Sequence, residues 1–142
     1  MESMRTSRVT LLSLAVLCTA LLTGPAEATT APRKSLVELR EQGGFAGLDD
    51  RVRVYTDGCA LLSRRTGPVV RRCLTASEWR GLRGALKNLR LGRSEAPPQG
   101  ADFLAYGLTY QGRRVTRYTL PPSWRPVVDR LQRVLAKYQA PR

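Results

Sequence analysis

The fold is decided by residues 35–47, whose sequence is SLVELREQGGFAG. Residues 35–40 alternate between two sets of side chains, and this period of two predicts a β-strand. Gly43 and Gly44 follow side by side, and glycine reaches backbone angles that are closed to other residues. We therefore expect a sharp loop at 43–47, in which Phe45 either plugs the core or projects outward as an anchor.

Five further strand patterns follow this loop and are separated by turn residues. The predicted strands span 51–56, 59–64, 69–74, 102–110 and 113–120. Gln111-Gly112 fits a two-residue hairpin turn, which pairs Leu108 with Val115. Asp57-Gly58 fits a second turn of this kind, which pairs Val54 with Leu61. The face expected to be buried then carries Val52, Val54, Leu61 and the pair Cys59 and Cys73.

Two amphipathic segments predict helices. Thr75 and Glu78 have the spacing of a capping box, and Trp79, Leu82, Leu86 and Leu89 then fall on one helical face. Ser123 is expected to cap a last helix, whose apolar stripe runs from Val127 to Tyr138. The element order predicts an α+β fold, with an antiparallel sheet of about five to six strands and both helices packed on one face.

Residues 1–28 have the pattern of a signal peptide. Arg5 and Arg8 precede an uncharged apolar stretch, and Ala26-Glu27-Ala28 fits a cleavage site. The apolar stretch is shorter than the ~20 residues that a membrane span needs, which favours cleavage over an anchor. We expect a secreted chain with a flexible tail at 29–34 and one α+β domain at 35–139.

Cys59 and Cys73 are the two cysteines of the expected mature chain. In an oxidising compartment an even pair predicts a disulfide. A three-residue loop at 65–67 places the two cysteines directly opposite each other on neighbouring strands, within disulfide reach. We interpret the bridge as structural; a catalytic or metal-binding pair is the alternative.

Charge is the strongest feature of the composition. The chain carries 24 basic and 11 acidic residues, for a net charge of +13, and only three of the basic residues are lysines. Such a field favours acidic partners, among them anionic envelope polymers and acidic proteins; nucleic acid is not expected for an exported chain. The candidate anion-binding residues are Arg64, Arg65, Arg71 and Arg72; a plain solvated arginine surface is the simpler explanation of the same residues.

Catalytic patterns are scarce. The chain has no histidine, which removes the usual neutral-pH base and the commonest metal ligand. Asp49-Asp50 is expected to lie in a loop, and no spacing links Glu78, Asp102 and Asp129 into a glycosidase-like pair. We predict a binding protein that is not an enzyme and that needs no cofactor or metal; a small hydrolase is the alternative.

Residues 35–48 resemble the opening of emfourin-type proteins, which are small α+β inhibitors of thermolysin-like (M4) metallopeptidases. Asp102 stands four residues before Tyr106, similar to the family's Asp-x-x-x-Tyr strand. A capped leucine-rich helix precedes that strand, and a proline-led helix ends the chain. The resemblance covers most of residues 35–138. The strand pair with Cys59 and Cys73, the basicity and the export signal depart from the simplest members.

The resemblance implies that a rigid loop occupies the substrate cleft of an extracellular metallopeptidase. Phe45, if it points outward, would fill an apolar pocket beside the scissile bond. If it points inward, Leu48, Asp49 and Asp50 would make the contacts instead. The whole implied loop comprises Gly43, Gly44, Phe45, Ala46, Gly47, Leu48, Asp49 and Asp50. A cell-envelope-associated binding protein for an anionic polymer or acidic protein is the alternative function.

Overall fold

The computed structural model describes residues 31–100 and 102–140. The predicted signal peptide and the first residues of the predicted tail lie outside the described residues. Within the described part, none of the helices has the length and apolar character required to cross a membrane.

Residues 31–100 and 102–140 contain six strands and two helices. The strands make one antiparallel sheet in the order β4-β3-β2-β1-β5-β6, which confirms the predicted α+β fold. The elements are β1 (Ser35–Gly43), β2 (Leu48–Tyr55), β3 (Cys59–Ser63), β4 (Val70–Cys73), α1 (Ala76–Lys87), β5 (Leu104–Tyr110), β6 (Arg113–Arg117) and α2 (Arg125–Tyr138).

One face of the sheet forms the core with both helices. Leu39, Val52 and Leu108 point from the central strands toward Leu82 of α1 and Leu131 of α2, and each is at most 2% exposed. Burying a side chain of this size contributes about 1.5–3 kcal/mol, so this layer supplies most of the stability. The opposite face, here called the open face, carries Glu38, Arg40, Gln42, Asp49, Arg51, Arg53, Tyr55, Cys59, Leu61, Ser63, Arg71, Cys73, Ala105, Gly107, Thr109, Arg114 and Thr116.

The hairpin between β2 and β3 differs from its prediction by one residue. Val54 pairs with Ala60 and Arg53 with Leu61, so the predicted pairing of Val54 with Leu61 is wrong. The turn uses three residues, 56–58: the amide of Gly58 donates to the oxygen of Tyr55 (3.1 Å). A one-residue slip moves every side chain of a strand to the other face. Leu61 and the cystine therefore lie on the open face.

The other hairpin predictions are confirmed. Leu108 pairs with Val115, and the turn residue Gln111 adopts a φ of 52° that suits a tight two-residue connection. Cys59 pairs directly with Cys73, and the two form a disulfide. The bridge ties the short edge strand β4 to β3.

Glu78 joins the two helices. The amide of Thr75 donates to Glu78 Oε2 (2.8 Å) and the amide of Glu78 donates to Thr75 Oγ1 (3.2 Å), which confirms the predicted capping box. From α2, Lys137 Nζ donates to Glu78 Oε1 (2.6 Å) and the Tyr138 hydroxyl donates to Oε2 (2.9 Å). One carboxylate thus caps α1 and fixes the last turn of α2.

The start of α2 differs from its prediction. Ser123 does not cap the helix; its hydroxyl donates to the oxygen of Arg90. Trp124 takes the capping position and is fully buried, and its Nε1 donates to the same oxygen (3.0 Å). Pro126 in the first turn needs no amide partner, which favours a helix start there without a side-chain cap.

Both edge strands of the sheet have features that hinder pairing with a further strand. Beside β6, the amide of Glu95 donates to the oxygen of Thr116 (2.9 Å), and the amide of Thr116 donates to Ser94 Oγ (3.1 Å). At the other edge, β4 has four residues, two of which are arginines. Short or charged edges and covering segments are common protections of a sheet edge.

Candidate functional site

The β1–β2 connection is a closed turn with Phe45 at its tip. The amide of Gly47 donates to the oxygen of Gly44 (2.9 Å), so Phe45 and Ala46 occupy the two central positions. Phe45 is 93% exposed. The alternative in which it plugs the core is therefore wrong, because the central residues of this turn point away from the sheet.

Two hydrogen bonds hold the ends of the turn. The amide of Gly44 donates to the oxygen of Phe103 (3.2 Å), and Arg65 Nη1 donates to the oxygen of Gly47 (3.2 Å). Gly43 has a φ of 91°, and a Cβ placed there would lie 2.6 Å from the oxygen of Phe103. Only glycine fits at this position. The ends of the turn are thus held by the segment before β5 and by the neighbouring hairpin.

Several connections meet at this end of the sheet. Gly43 lies opposite both Leu48 and Leu104, and Ser63 lies opposite Arg51 near the start of β2. We call this region the loop end and define it as residues 44–47, 64–69, 103 and 138–139. In the described part of the chain, the exposed large hydrophobic side chains are Phe45, Val69 (60%) and Phe103 (45%), and all belong to the loop end.

A cleft of about 560 Å³ adjoins the turn. Its walls are the β1–β2 turn on one side and the β3–β4 loop on the other, and Tyr138 and Gln139 close it. Gln139 holds these parts together, because its side-chain Nε2 donates to the backbone oxygen of Pro68 and its backbone oxygen accepts from Arg64 Nε (both 2.8 Å). The loop end thus presents an aromatic tip beside a hollow.

A buried polar network connects the strands, loop and helix that carry the loop end. Asp50 Oδ2 accepts from Arg64 Nη1 (2.7 Å), and Glu41, which lies directly opposite Asp50, accepts from Gln132 Nε2 (2.6 Å). Glu41 and Asp50 are 6% and 7% exposed. Burial, with a smaller contribution from the charge of Asp50, raises the pKa of Glu41 above 4.5. The network joins β1, β2, the β3–β4 loop and α2.

The predicted loop position of Asp49 and Asp50 is wrong, because β2 begins at Leu48. Asp49 accepts from Arg40 Nε at 3.1 Å, and Asp50 is buried against Arg64. Aspartate is disfavoured in strands, and these two ion pairs offset that preference. Their carboxylates therefore serve the fold, and the exposed part of the predicted loop is residues 44–47.

The four candidate anion-binding arginines do not form one patch. Arg64 is committed to Asp50 and Gln139, and Arg65 holds the β1–β2 turn. Arg71 lies opposite Leu61 on the open face, whereas Arg72 lies opposite Ala60, whose side chain is in the core layer. Adjacent residues of a strand point to opposite faces of the sheet, so arginines that are neighbours in the sequence do not form one surface.

The carboxylates weighed as catalytic candidates lie on three different parts of the chain, and Asp102 is exposed in the segment before β5. Glu78 is held by its capping and interhelical bonds, and Asp129 is exposed on α2. Tyr106 packs partly buried against the core, and burial together with the charge of Glu41 raises its pKa. In the described ranges, no group of three or more Cys, Asp or Glu side chains is arranged to hold a metal ion.

Val69 and Phe103 were not singled out from the sequence. The sequence contained the information for Phe103, since the alternation that places Leu104 and Leu108 on one face of the strand places Phe103 on the opposite face. No family model, curated protein or solved structure matches this chain. The resemblance to emfourin-type proteins therefore stays a prediction.

Proposed function

We propose that this protein is a secreted inhibitor of a thermolysin-like metallopeptidase and that the loop end is its contact surface. The observation that carries the proposal is Phe45, a 93% exposed aromatic side chain on a turn with fixed ends. An exposed aromatic residue at a rigid tip is typical of an anchor that buries itself in a partner's pocket.

The turn suits inhibition because it is preorganised. Its hydrogen bonds to Phe103 and Arg65 exist before binding, so little conformational entropy is lost when a partner closes around it. The closed bond between Gly47 and Gly44 keeps the backbone curved at Phe45. The turn therefore enters a cleft as a wedge, which differs from the extended course of a substrate and protects the peptide bonds from cleavage.

The remaining exposed apolar side chains extend the surface. Phe103 and Val69 are exposed at the same end of the sheet as the turn, which gives a partner further apolar area to bury. The resemblance to emfourin-type inhibitors points to a metallopeptidase as the partner.

The test is titration of residues 29–142 against a thermolysin-like peptidase. We expect stoichiometric loss of activity, with the inhibitor intact by mass spectrometry. Phe45→Ala should raise the inhibition constant by about 30-fold to 1,000-fold, the range of aromatic hot spots. Ala46→Ser, in the same turn, is the matched control and should change it less than threefold. Undiminished peptidase activity at micromolar protein would refute the function, and equal inhibition by Phe45→Ala would refute the contact surface.

A further inference from the structure

The arginines of the open face lie in rows across the sheet. Strand register places Arg71, Leu61, Arg53, Glu38, Thr109 and Arg114 on one line running from β4 to β6. Neighbouring strands lie ~4.8 Å apart, so this line spans roughly 24 Å. Arg51 and Arg40 form a second, adjacent pair on the same face. The arrangement follows from strand pairing and could not be seen in the order of residues.

Two carboxylates orient three of these arginines. Arg51 and Arg53 both donate to Glu38, whose side chain is 10% exposed, and Arg40 donates to Asp49. A guanidinium has five N–H donors, so each of the three keeps donors for a ligand. Fixing the side chains in advance lowers the entropy lost on binding. The ion pairs therefore preorganise the arginines as well as neutralise part of their charge.

The outer strands supply the uncompensated charge. Arg71 and Arg114 are exposed, and the ion pairs within the described ranges involve neither. A Cβ at Gly107 would lie 3.5 Å from Arg114 Nη2, which shows that this guanidinium extends from β6 over β5. Five arginines against Glu38 and Asp49 leave the open face with a net charge of +3.

We propose that the open face binds a linear acidic polysaccharide. A row of guanidinium groups matches a chain of repeated carboxylates or sulfates, since arginine forms paired hydrogen bonds with such groups. Nucleic acid fits less well, because Tyr55, the aromatic residue on the open-face side of β2, is half-buried beside Arg53 and leaves no series of exposed rings on which bases could stack. A protein partner would need an apolar anchor, and the exposed large hydrophobics lie at the loop end.

The binding is independent of the proposed inhibition, since the two use different surfaces. The open face would hold the protein on an acidic extracellular matrix while the loop end stays accessible. Polysaccharide binding can thus be tested whether or not a peptidase is inhibited.

The experiment compares two charge-reversed pairs with heparin as the probe. Arg71→Glu with Arg114→Glu removes the outer charges of the open face; Arg80→Glu with Arg133→Glu makes the same change in net charge on the helices. We expect wild type to bind heparin at 0.15 M NaCl and not neutral dextran. The open-face pair should weaken binding at least tenfold, and the helix pair less than threefold.

Circular dichroism would verify that both pairs are folded, and Arg71→Gln with Arg114→Gln provides a milder second test. Equal weakening by the two pairs would overturn the proposal, since only total charge would then matter. Absence of heparin binding by wild type would overturn it too, as would tighter binding of single-stranded DNA than of heparin. Phe45→Ala should bind heparin like wild type, which separates this result from that of the inhibition test.

Discussion

The carboxylate of Glu78 should make the interhelical contact sensitive to acid. Burial alone would raise the pKa of Glu78, but hydrogen bonds from Lys137, Thr75 and Tyr138 outweigh it and lower the pKa to about 2. The folded state therefore favours the ionised form. Its contribution to the free energy of unfolding is present above the ordinary pKa of 4.5 and is lost as the pH falls through about 2.

The magnitude follows from the shift and from solvent screening. A pKa lowered from 4.5 to about 2 corresponds to at most about 3.4 kcal/mol. The side chain of Lys137 is 52% exposed and that of Glu78 is 22% exposed, so water weakens their attraction. We expect Glu78→Gln to lower the free energy of unfolding by roughly 1–2 kcal/mol at pH 7.

Urea denaturation of wild type and Glu78→Gln at pH 7 and pH 2 tests this reasoning. The difference between the two proteins should fall to a small fraction of its pH 7 value at pH 2, because about half of folded wild-type Glu78 is then protonated and the unfolded carboxyl is almost fully protonated. Asp129→Asn, which changes an exposed carboxylate on α2, is the control and should differ little from wild type at either pH. An equal difference for Glu78→Gln at both pH values would refute the electrostatic account and indicate lost packing instead.

Two further substitutions test the base of the loop end. Glu41 has a raised pKa, so the stability that it contributes is present below pH 4.5 and is lost as the pH rises through its folded-state pKa. Glu41→Gln should therefore raise the free energy of unfolding at pH 7. Urea denaturation at pH 7 and pH 4 should show that this gain is smaller at pH 4. Gly43→Ala should lower the melting temperature more than Gly67→Ala does, because both glycines have positive φ but only at Gly43 would the Cβ approach a backbone oxygen. Equal losses for the two alanine variants would contradict the close approach of Phe103.

The sequence predicted both the hairpin at Gln111-Gly112 and the hairpin at Asp57-Gly58, but only the first with the correct register. Both dipeptides favour a two-residue turn, yet Asp57 Oδ1 accepts from the amide of Cys59 (3.0 Å) in a three-residue turn. Leu61 and Leu62 are adjacent, so either register puts a leucine beside Val52 or Val54. The hydrophobic pattern could not choose between them, and turn geometry decided the register.

The site was predicted in part for similar reasons. The paired glycines located the turn at Phe45, because their conformational freedom is a local property of the sequence. The strand position of Asp49 and Asp50 depends on Arg40 and Arg64, and such distant partners are set by strand order. The position of Phe103 and Val69 at the same end of the sheet as Phe45 likewise depends on the sheet topology.

The two edges of the sheet bear on self-association. Residues 94–95 already hydrogen-bond to the backbone amide and the backbone oxygen of Thr116. A second molecule therefore cannot add a strand beside β6 at that point. At β4, an approaching copy would bring its own Arg71 and Arg72 against the same residues, at a chain net charge of +13. We expect strand-by-strand polymerisation to be blocked at both sides, which would let the protein stay dispersed at the high local concentrations that accumulation on a matrix produces.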